Sequence, residues 1–148
     1  MPQSLALVLV HIIFSTKNRI AFLQSPDLRS DVHAYLIGTL RGLGCELRVG
    51  GVADHVHILA GLSRRISLVE LVKNLKTSST KIVNNKGHSH FSWQSGYGAF
   101  SVGQSAKESV ISYIASQESH HRKMTFQEEF RSLLKKHGIA FDERYVWD

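Results

Sequence analysis

The sequence predicts an α+β fold: a ferredoxin-like (RRM-like) antiparallel sheet with helices packed on it. Two observations support this class. Strand-like and helix-like patterns follow one another in the order β-α-β-β-α-β, with two more helical segments behind them. The chain has 148 residues, 43% of them hydrophobic and 20% charged, which fits one compact domain over residues 1–148.

The first half of the chain accounts for three strands and one helix. Leu5–Phe14 is rich in Val, Ile and Leu and predicts a buried first strand. The segment Ser25-Pro26-Asp27 combines a cap, a proline at the first helical position and an early acid, and helically spaced apolar residues follow as far as Leu43. Cys45–Val52 and His55–Gly61 are typical of the second and third strands.

The second half predicts three helices and one strand. Ser67–Glu70 is a capping box, which indicates the start of the second helix. Tyr97–Val102 predicts a further strand. Ser105–Glu108 and Thr125–Glu128 are also capping boxes, and they predict the starts of the third and fourth helices. The ending, Phe141–Asp148, is aromatic and charged, and we expect it to pack back on the body of the domain.

The net charge of +6 favours an anionic partner, most simply a nucleic acid. Much of the excess lies on the second helix, which presents Lys73, Lys76 and Lys81 away from its apolar stripe. Lys17 and Arg19 follow the first strand and can join them along a phosphate backbone. The alternative is a solvated basic helix face without a partner, and composition alone does not decide between the two.

Cysteine content and hydropathy exclude other classes. Cys45 is the only cysteine, so an intramolecular disulfide and a cysteine-rich zinc site are excluded. The apolar run Leu5–Phe14 is too short to span a bilayer, is interrupted by His11 and lacks the features of a signal peptide. We therefore expect a cytoplasmic protein with no membrane partner.

The segment Asp54–Leu59 carries the strongest indication of chemistry. His55 and His57 flank an apolar residue in a strand, so their imidazoles share one face and can hold a divalent ion with open positions. Two half-buried histidines satisfied by their neighbours are the alternative. The pair in His88–His90 has serine between its histidines and lies in an Asn/Gly-rich stretch, which indicates a loop.

Tyr113 and Gln117 lie four residues apart on the predicted third helix and would share a face. The tyrosine lies off the apolar stripe and is a candidate nucleophile whose target phosphate a metal would polarise. The glutamine can add an oxygen ligand, and a mixed N/O set suits Mg²⁺ or Mn²⁺. A helix-edge tyrosine and an exposed glutamine are the alternatives.

His120 and His121 lie near the end of the same predicted helix. They could assist proton transfer, or they could interact favourably with the C-terminal helix dipole. We favour the dipole.

Four stretches together resemble the single-tyrosine HUH transposases of the insertion-sequence 200/605 type, including their REP-associated relatives. These stretches are His11–Arg19, Asp54–Leu59, Trp93–Val102 and Tyr113–Gln117. The ending from Thr125 resembles tails of the REP-associated members, so the likeness covers nearly the whole chain.

The resemblance implies a metal-dependent strand transferase that acts on single-stranded DNA with hairpin structure. His55 and His57 then match the metal ligands, Gln117 the third ligand and Tyr113 the nucleophile, with Mg²⁺ or Mn²⁺ as the cofactor. The family also implies a homodimer. Its active site can be composite, and Gly103 is the hinge we expect for an exchange of tyrosine helices.

Two other functions remain open from the residues. A non-catalytic hairpin-binding module of the same fold would use the basic helix but would not need the histidines and the tyrosine together. A metal-dependent phosphoesterase would use water instead of tyrosine as the nucleophile, and it would form no covalent protein–DNA adduct.

Overall fold

The structure, a computed structural model, describes residues 2–148. Its strands are β1 (Leu9–Ser15), β2 (Arg48–Gly51), β3 (His55–Gly61) and β4 (Gly98–Val102). Its helices are α1 (Pro26–Gly42), α2 (Leu68–Asn85), α3 (Lys107–Ala115), α4 (Gln117–His120) and α5 (Phe126–Lys136). The strands form one antiparallel sheet in the order β2-β3-β1-β4. The predicted α+β architecture and element order are confirmed.

The first strand begins later than the apolar run predicts. Leu9 pairs with Gly61 on one side and with Val102 on the other, and both of these are the last residues of their strands. Earlier residues therefore have no neighbouring strand, and Leu5 and Leu7 lie exposed. Within residues 2–148, no helix is long and apolar enough to cross a membrane.

Helices α1 and α2 cover one face of the sheet and form the main core with it. Val56 and Ile58 point to this face, and they pack against buried side chains such as Leu36 and Leu75. Both helices begin at predicted caps. The Ser67 side chain, for example, accepts a hydrogen bond from the backbone N–H three residues on, at Glu70.

The three C-terminal helices cover the opposite face. Ile114 of α3 packs on Leu9 and Leu59, and Phe126 and Phe130 of α5 pack on Ile13. The molecule therefore has three layers, with the sheet in the middle. This explains why every residue of β1 is buried.

The starts of α3 and α5 differ in their capping. The Thr125 side chain accepts a hydrogen bond from the N–H of Glu128, which confirms the capping box of α5. The box predicted at Ser105 is wrong, because a 3₁₀ turn occupies Gln104–Ala106 and α3 follows it without a side-chain cap. The turn satisfies the backbone groups that the serine would have capped.

The C-terminal segment packs on the body of the domain as predicted. Val146 and Trp147 contact the cluster around Phe126 and Phe130. The N–H of Gly96 donates to the carbonyl of Asp148 at 2.8 Å. The tail thereby fastens the outer side of α5.

Candidate active site

His55 and His57 lie on β3 and point to the face that α3–α5 cover. Both side chains are completely buried, and their ring centroids are 5.1 Å apart. The alternation of the strand places them together, as the sequence pattern predicts. Helix packing over this face, which the pattern does not reveal, removes them from solvent.

Two neighbouring side chains orient these imidazoles. The Nδ1 of His55 lies 2.7 Å from the Asp54 carboxylate, and the Nδ1 of His57 lies 2.8 Å from Nε2 of His11. The Asp54 carboxylate places a hydrogen on Nδ1 of His55, and the contact with His11 fixes the direction of the His57 ring, so each ring presents Nε2 as its second functional atom. Both Nε2 atoms face the same interior point.

Glu129 of α5 reaches that point, and it is the main site residue that the sequence analysis missed. Its Oε1 lies 3.0 Å from Nε2 of His57, 3.3 Å from Nε2 of His55 and 3.1 Å from Nε2 of His121. The carboxylate is almost fully buried. A signal was present in the sequence, because Glu129 occupies an apolar-stripe position of an amphipathic helix, three residues after Phe126 and four before Leu133.

Tyr113 lies on the outer side of this cluster. Its hydroxyl donates a hydrogen bond to Oε2 of Glu129 and lies 3.2 Å from Nε2 of His120. Its ring centroid is 5.5 Å from that of His57 in the same chain. One carboxylate therefore contacts the tyrosine with one oxygen and the imidazoles with the other.

Gln117 reaches the site, but not from the single helix that the sequence predicts. The helix breaks at Ser116, whose side chain donates to the carbonyl of Tyr113 at 3.2 Å. Such side-chain bonds compete with the helical ladder. The Gln117 amide also donates to that carbonyl, at 3.1 Å, and its Oε1 lies 3.4 Å from Nε2 of His55. The glutamine is buried, so the alternative of an exposed residue is wrong.

His120 and His121 have their rings in the site, which corrects the preference for a helix-dipole role. His120 contacts the Tyr113 hydroxyl and His121 contacts Glu129. The short helix α4 turns both rings inward after the break. By contrast, the pair in 88–90 lies exposed after α2, in the loop that the sequence predicts.

Burial decides the protonation state of His57, the histidine nearest the Glu129 carboxylate. It lowers the pKa of His57 to about 4, although the carboxylate opposes the shift. Burial lowers the pKa of His11 to about 3, and His57 adds to the effect. For His55, bonds to Asp54 and Glu129 outweigh burial and raise the pKa. At neutral pH, His57 therefore presents a neutral ring.

The pKa of the Glu129 carboxyl group and the pKa of the Tyr113 phenol are shifted in opposite directions. Burial opposes ionisation of Glu129, but hydrogen bonds from His121, His55 and His57 outweigh it and hold the carboxyl pKa well below its usual range. Burial, and then the adjacent Glu129 charge, raise the pKa of Tyr113 well above its usual value. The tyrosine is thus a neutral hydrogen-bond donor in this structure.

This donor set fits a divalent metal ion. His55, His57, His121 and Glu129 each offer one ligand atom, and the four atoms lie within 4.8 Å of one another. Imidazole nitrogen and carboxylate oxygen are ligands of first-row divalent metals and, with water, of octahedral ions.

A cleft of about 480 Å³ opens beside Tyr113. The tyrosine, His120 and Glu129 contribute to its wall, together with Phe100 and Lys136. Its volume lies in the range of small-ligand sites. The nucleophile candidate is therefore reachable, whereas the imidazoles of β3 lie behind it.

The basic residues that the sequence analysis proposed for DNA differ in their surroundings. Lys17, Lys73 and Lys81 are exposed, and the Arg19 guanidinium lies 5.8 Å from the centre of the Trp147 ring.

The Lys76 ammonium is held by the protein itself. It donates to the carbonyls of Gln94 at 2.7 Å, Ser95 at 3.1 Å and Gly96 at 2.7 Å. Burial lowers its pKa to about 8. All three of its N–H donors are thus engaged by backbone, and Lys76 fastens the segment before β4 to α2.

Comparisons with known proteins agree on one relationship. Residues 4–117 match the family model described as IS200-like transposase. A candidate transposase from Deinococcus radiodurans R1 is similar in structure, with a TM-score of 0.64 and 22% identity over 79% of this chain and 95% of that one. No curated protein matches the sequence.

A second similar structure is a REP-associated tyrosine transposase bound to a REP hairpin. Its TM-score is 0.59 at 14% identity, over 82% of this chain and 74% of that one. At these identities, both structures support the fold. Tyr113 and Gln117 lie inside the matched family segment, whereas His121 and Glu129 lie beyond its end.

Proposed function

The chain belongs to the family of IS200-like transposases, and from that premise we propose that it is a strand transferase that cleaves and rejoins single-stranded DNA with Tyr113. One observation carries the proposal. The Tyr113 hydroxyl and the imidazoles of His55 and His57 meet at the same buried carboxylate, Glu129, beside an open cleft. A hairpin-binding module would not need a nucleophile and metal-ligand atoms in one place.

The proposed cofactor is Mg²⁺ or Mn²⁺, held by His55, His57 and Gln117. When bound there, the cation would polarise the scissile phosphate and stabilise the charge that develops on it. The protein supports such binding through the bonds of Asp54 and His11 to the two imidazoles, which direct both Nε2 atoms inward.

In the proposed reaction, the phenolic oxygen of Tyr113 attacks the scissile phosphorus. The bond from phosphorus to the 3′ oxygen breaks, which leaves a 5′-phosphotyrosine on the protein and a 3′-hydroxyl on the released strand. The phenol proton has two acceptors within reach, Glu129 and His120, and a proton from these groups or from water completes the 3′-hydroxyl on the leaving strand. Attack by another 3′-hydroxyl on the phosphotyrosine reverses the step and joins strands without an external energy source.

The proposed substrate is single-stranded DNA that carries a hairpin, by analogy with the relative bound to a REP hairpin. Lys17, Arg19, Lys73 and Lys81 are the proposed phosphate contacts, supported by their charge and by the exposure of the three lysines. Lys76 is less suited to this role, because its donors are already occupied. We also propose that the protein acts in the cytoplasm, where such DNA is accessible.

We further propose a homodimer, which the family implies. Tyr113 lies against the histidines of its own chain, and this supports an active site formed within one subunit. Mixing Tyr113→Phe subunits with His57→Ala subunits tests this. We expect no rescue of cleavage in mixed dimers. Rescue would instead support an exchange of the tyrosine helix about Gly103.

The function is tested with labelled single-stranded hairpin oligonucleotides from the flanks of the native locus. Incubation with Mn²⁺ or Mg²⁺ and separation on a denaturing gel should show a covalent protein–DNA adduct. The adduct should be lost in Tyr113→Phe and on addition of EDTA. Cleavage without an adduct would point to water as the nucleophile. Tight binding without cleavage on every flank would leave only a binding module.

A further inference from the structure

We propose that Glu129 and His121 are ligands of the same cation as His55 and His57, so that the C-terminal part of the chain completes the metal site. This proposal rests on the proposed function, which places a cation at the two histidines. It goes further because both added residues lie beyond the segment that matches the family model.

The donor atoms around Glu129 are spaced like the ligands of a metal ion. Oε1 of Glu129 lies 3.0 Å from Nε2 of His57, 3.3 Å from Nε2 of His55 and 3.1 Å from Nε2 of His121. Ligand atoms at about 2.0–2.2 Å from a divalent ion stand about 3.0–3.5 Å from their neighbours in tetrahedral or octahedral sites. The three separations from Oε1 of Glu129 therefore match the edges of a coordination shell, and all four ligand atoms lie within 4.8 Å of one another.

The hydrogen positions on the imidazoles also favour a cation. Asp54 engages Nδ1 of His55, so the neutral ring carries its hydrogen there and presents a lone pair at Nε2. In the metal-free protein, three imidazole nitrogens converge on the single oxygen Oε1 of Glu129. A cation among the four atoms instead accepts every lone pair.

The charge of Glu129 also favours a cation. Glu129 is a buried acid whose ion-pair partners in residues 2–148 are all histidines, with no Lys or Arg among them. A buried ionised carboxylate needs a compensating positive charge. A divalent cation supplies it and also leaves Oε2 free to hold the Tyr113 hydroxyl. The nucleophile is thereby tied to the metal through one side chain.

The test is calorimetric titration of the full-length protein with Mn²⁺ alone, without DNA. Glu129→Gln and His121→Ala should each weaken Mn²⁺ binding at least as much as the loss of an outer-shell partner does, which is about tenfold to a hundredfold. Glu128→Gln is the matched control, because that carboxylate lies one residue away on the exposed side of α5. His90→Ala, in the exposed loop after α2, is the control for His121.

A second measurement uses the wild-type protein, so it does not depend on how a variant folds. Electron spin-echo modulation of bound Mn²⁺ should count three directly coordinated nitrogens, and two in His121→Ala. Two nitrogens in the wild type, or unchanged or tighter binding in Glu129→Gln, would overturn the proposal.

Different binding results would refute the proposed cofactor and the added ligands Glu129 and His121. If the wild type does not bind Mn²⁺, both the cofactor of the proposed function and the added ligands are wrong. If His55→Ala abolishes binding while Glu129→Gln and His121→Ala bind normally, only the added ligands are wrong. The covalent-adduct assay then remains a separate test of Tyr113.

Discussion

At the scale of single residues, the site depends on side chains that contact other side chains before they contact any substrate. Asp54 and His11 each hold one ring nitrogen of the β3 pair. Glu129 joins that pair to Tyr113. Because these contacts set tautomers and directions, their loss should change metal affinity more than it changes the fold.

Asp54→Ala should weaken Mn²⁺ binding by about tenfold to a hundredfold, because the His55 ring loses the carboxylate that fixes its tautomer. Titration calorimetry measures this directly. Asp31→Ala is the control, and it should leave the affinity unchanged. Asp31 pairs with Lys86 in the layer of α1 and α2, on the face of the sheet opposite to the site. Equal affinities in both variants would show that the contact has no role in binding.

The lysines of α2 should fall into two groups, which differ in their effect on DNA binding and on stability. Lys73→Ala and Lys81→Ala should each flatten the log–log dependence of hairpin affinity on salt by about one unit, because in the proposed function each of these exposed lysines neutralises one phosphate.

Lys76→Ala should leave that slope unchanged and lower the free energy of unfolding instead, because three carbonyls lose their donor. Filter binding at several salt concentrations and urea denaturation check the two effects. A flatter slope in Lys76→Ala would return this residue to the phosphate contacts.

At the scale of helices and strands, two glycines determine how closely the C-terminal helices approach the sheet. A Cβ on Gly50 of β2 would lie 2.6 Å from the carbonyl oxygen of Ile114. A Cβ on Gly98 of β4 would collide with the ring of Phe130. The first contact positions α3, which carries Tyr113, and the second positions α5, which carries Glu129.

Gly50→Ala should reduce formation of the covalent adduct at least tenfold while hairpin binding persists. The added methyl group must push α3 outward, and small displacements of a nucleophile are costly for rate. Gly38→Ala is the control, because its Cβ would meet nothing within 4 Å. Full activity in Gly50→Ala would mean that α3 tolerates the shift.

Gly98→Ala should act on the other half of the site. Displacement of Phe130 moves α5, so Mn²⁺ affinity should fall in this variant if Glu129 is a ligand. The same calorimetric titration measures it, with circular dichroism to confirm folding. Unchanged affinity in a folded Gly98→Ala protein would argue against a role for α5 in metal binding.

At the scale of the whole molecule, the three-layer arrangement buries several histidines as neutral rings. Burial lowers the pKa to about 3 for His11 and to about 4 for both His33 and His57. In the unfolded chain these rings titrate near pH 6.5. Unfolding below that pH therefore takes up protons, and His55, with its raised pKa, opposes the effect only in part.

The metal-free protein should lose stability as the pH falls from 7 to 5. Each ring with a lowered pKa contributes on the order of 1–2 kcal/mol to this loss, because the unfolded state binds its proton and the folded state does not. Urea denaturation at several pH values measures the slope. His33→Leu, remote from the site on α1, should make that slope shallower by about one proton. A flat profile would contradict neutral burial.

Local sequence patterns were sufficient to predict most of the helices and strands and part of the candidate site. Strand alternation placed His55 and His57 on one face, and the caps at Ser67 and Thr125 correctly marked two helix starts. These features depend on residues within a few positions of one another. Physical rules of short range therefore predict them from one sequence.

The rest of the site depends on contacts between distant parts of the chain. Glu129 meets His57 across 72 positions, and Lys76 meets the segment before β4 rather than solvent. Local patterns therefore predict the helices and strands and their apolar faces, apart from the break at Ser116. What lies opposite each face follows from the tertiary structure alone, because the packing of α3–α5 onto the second side of the sheet leaves no periodic pattern in the sequence.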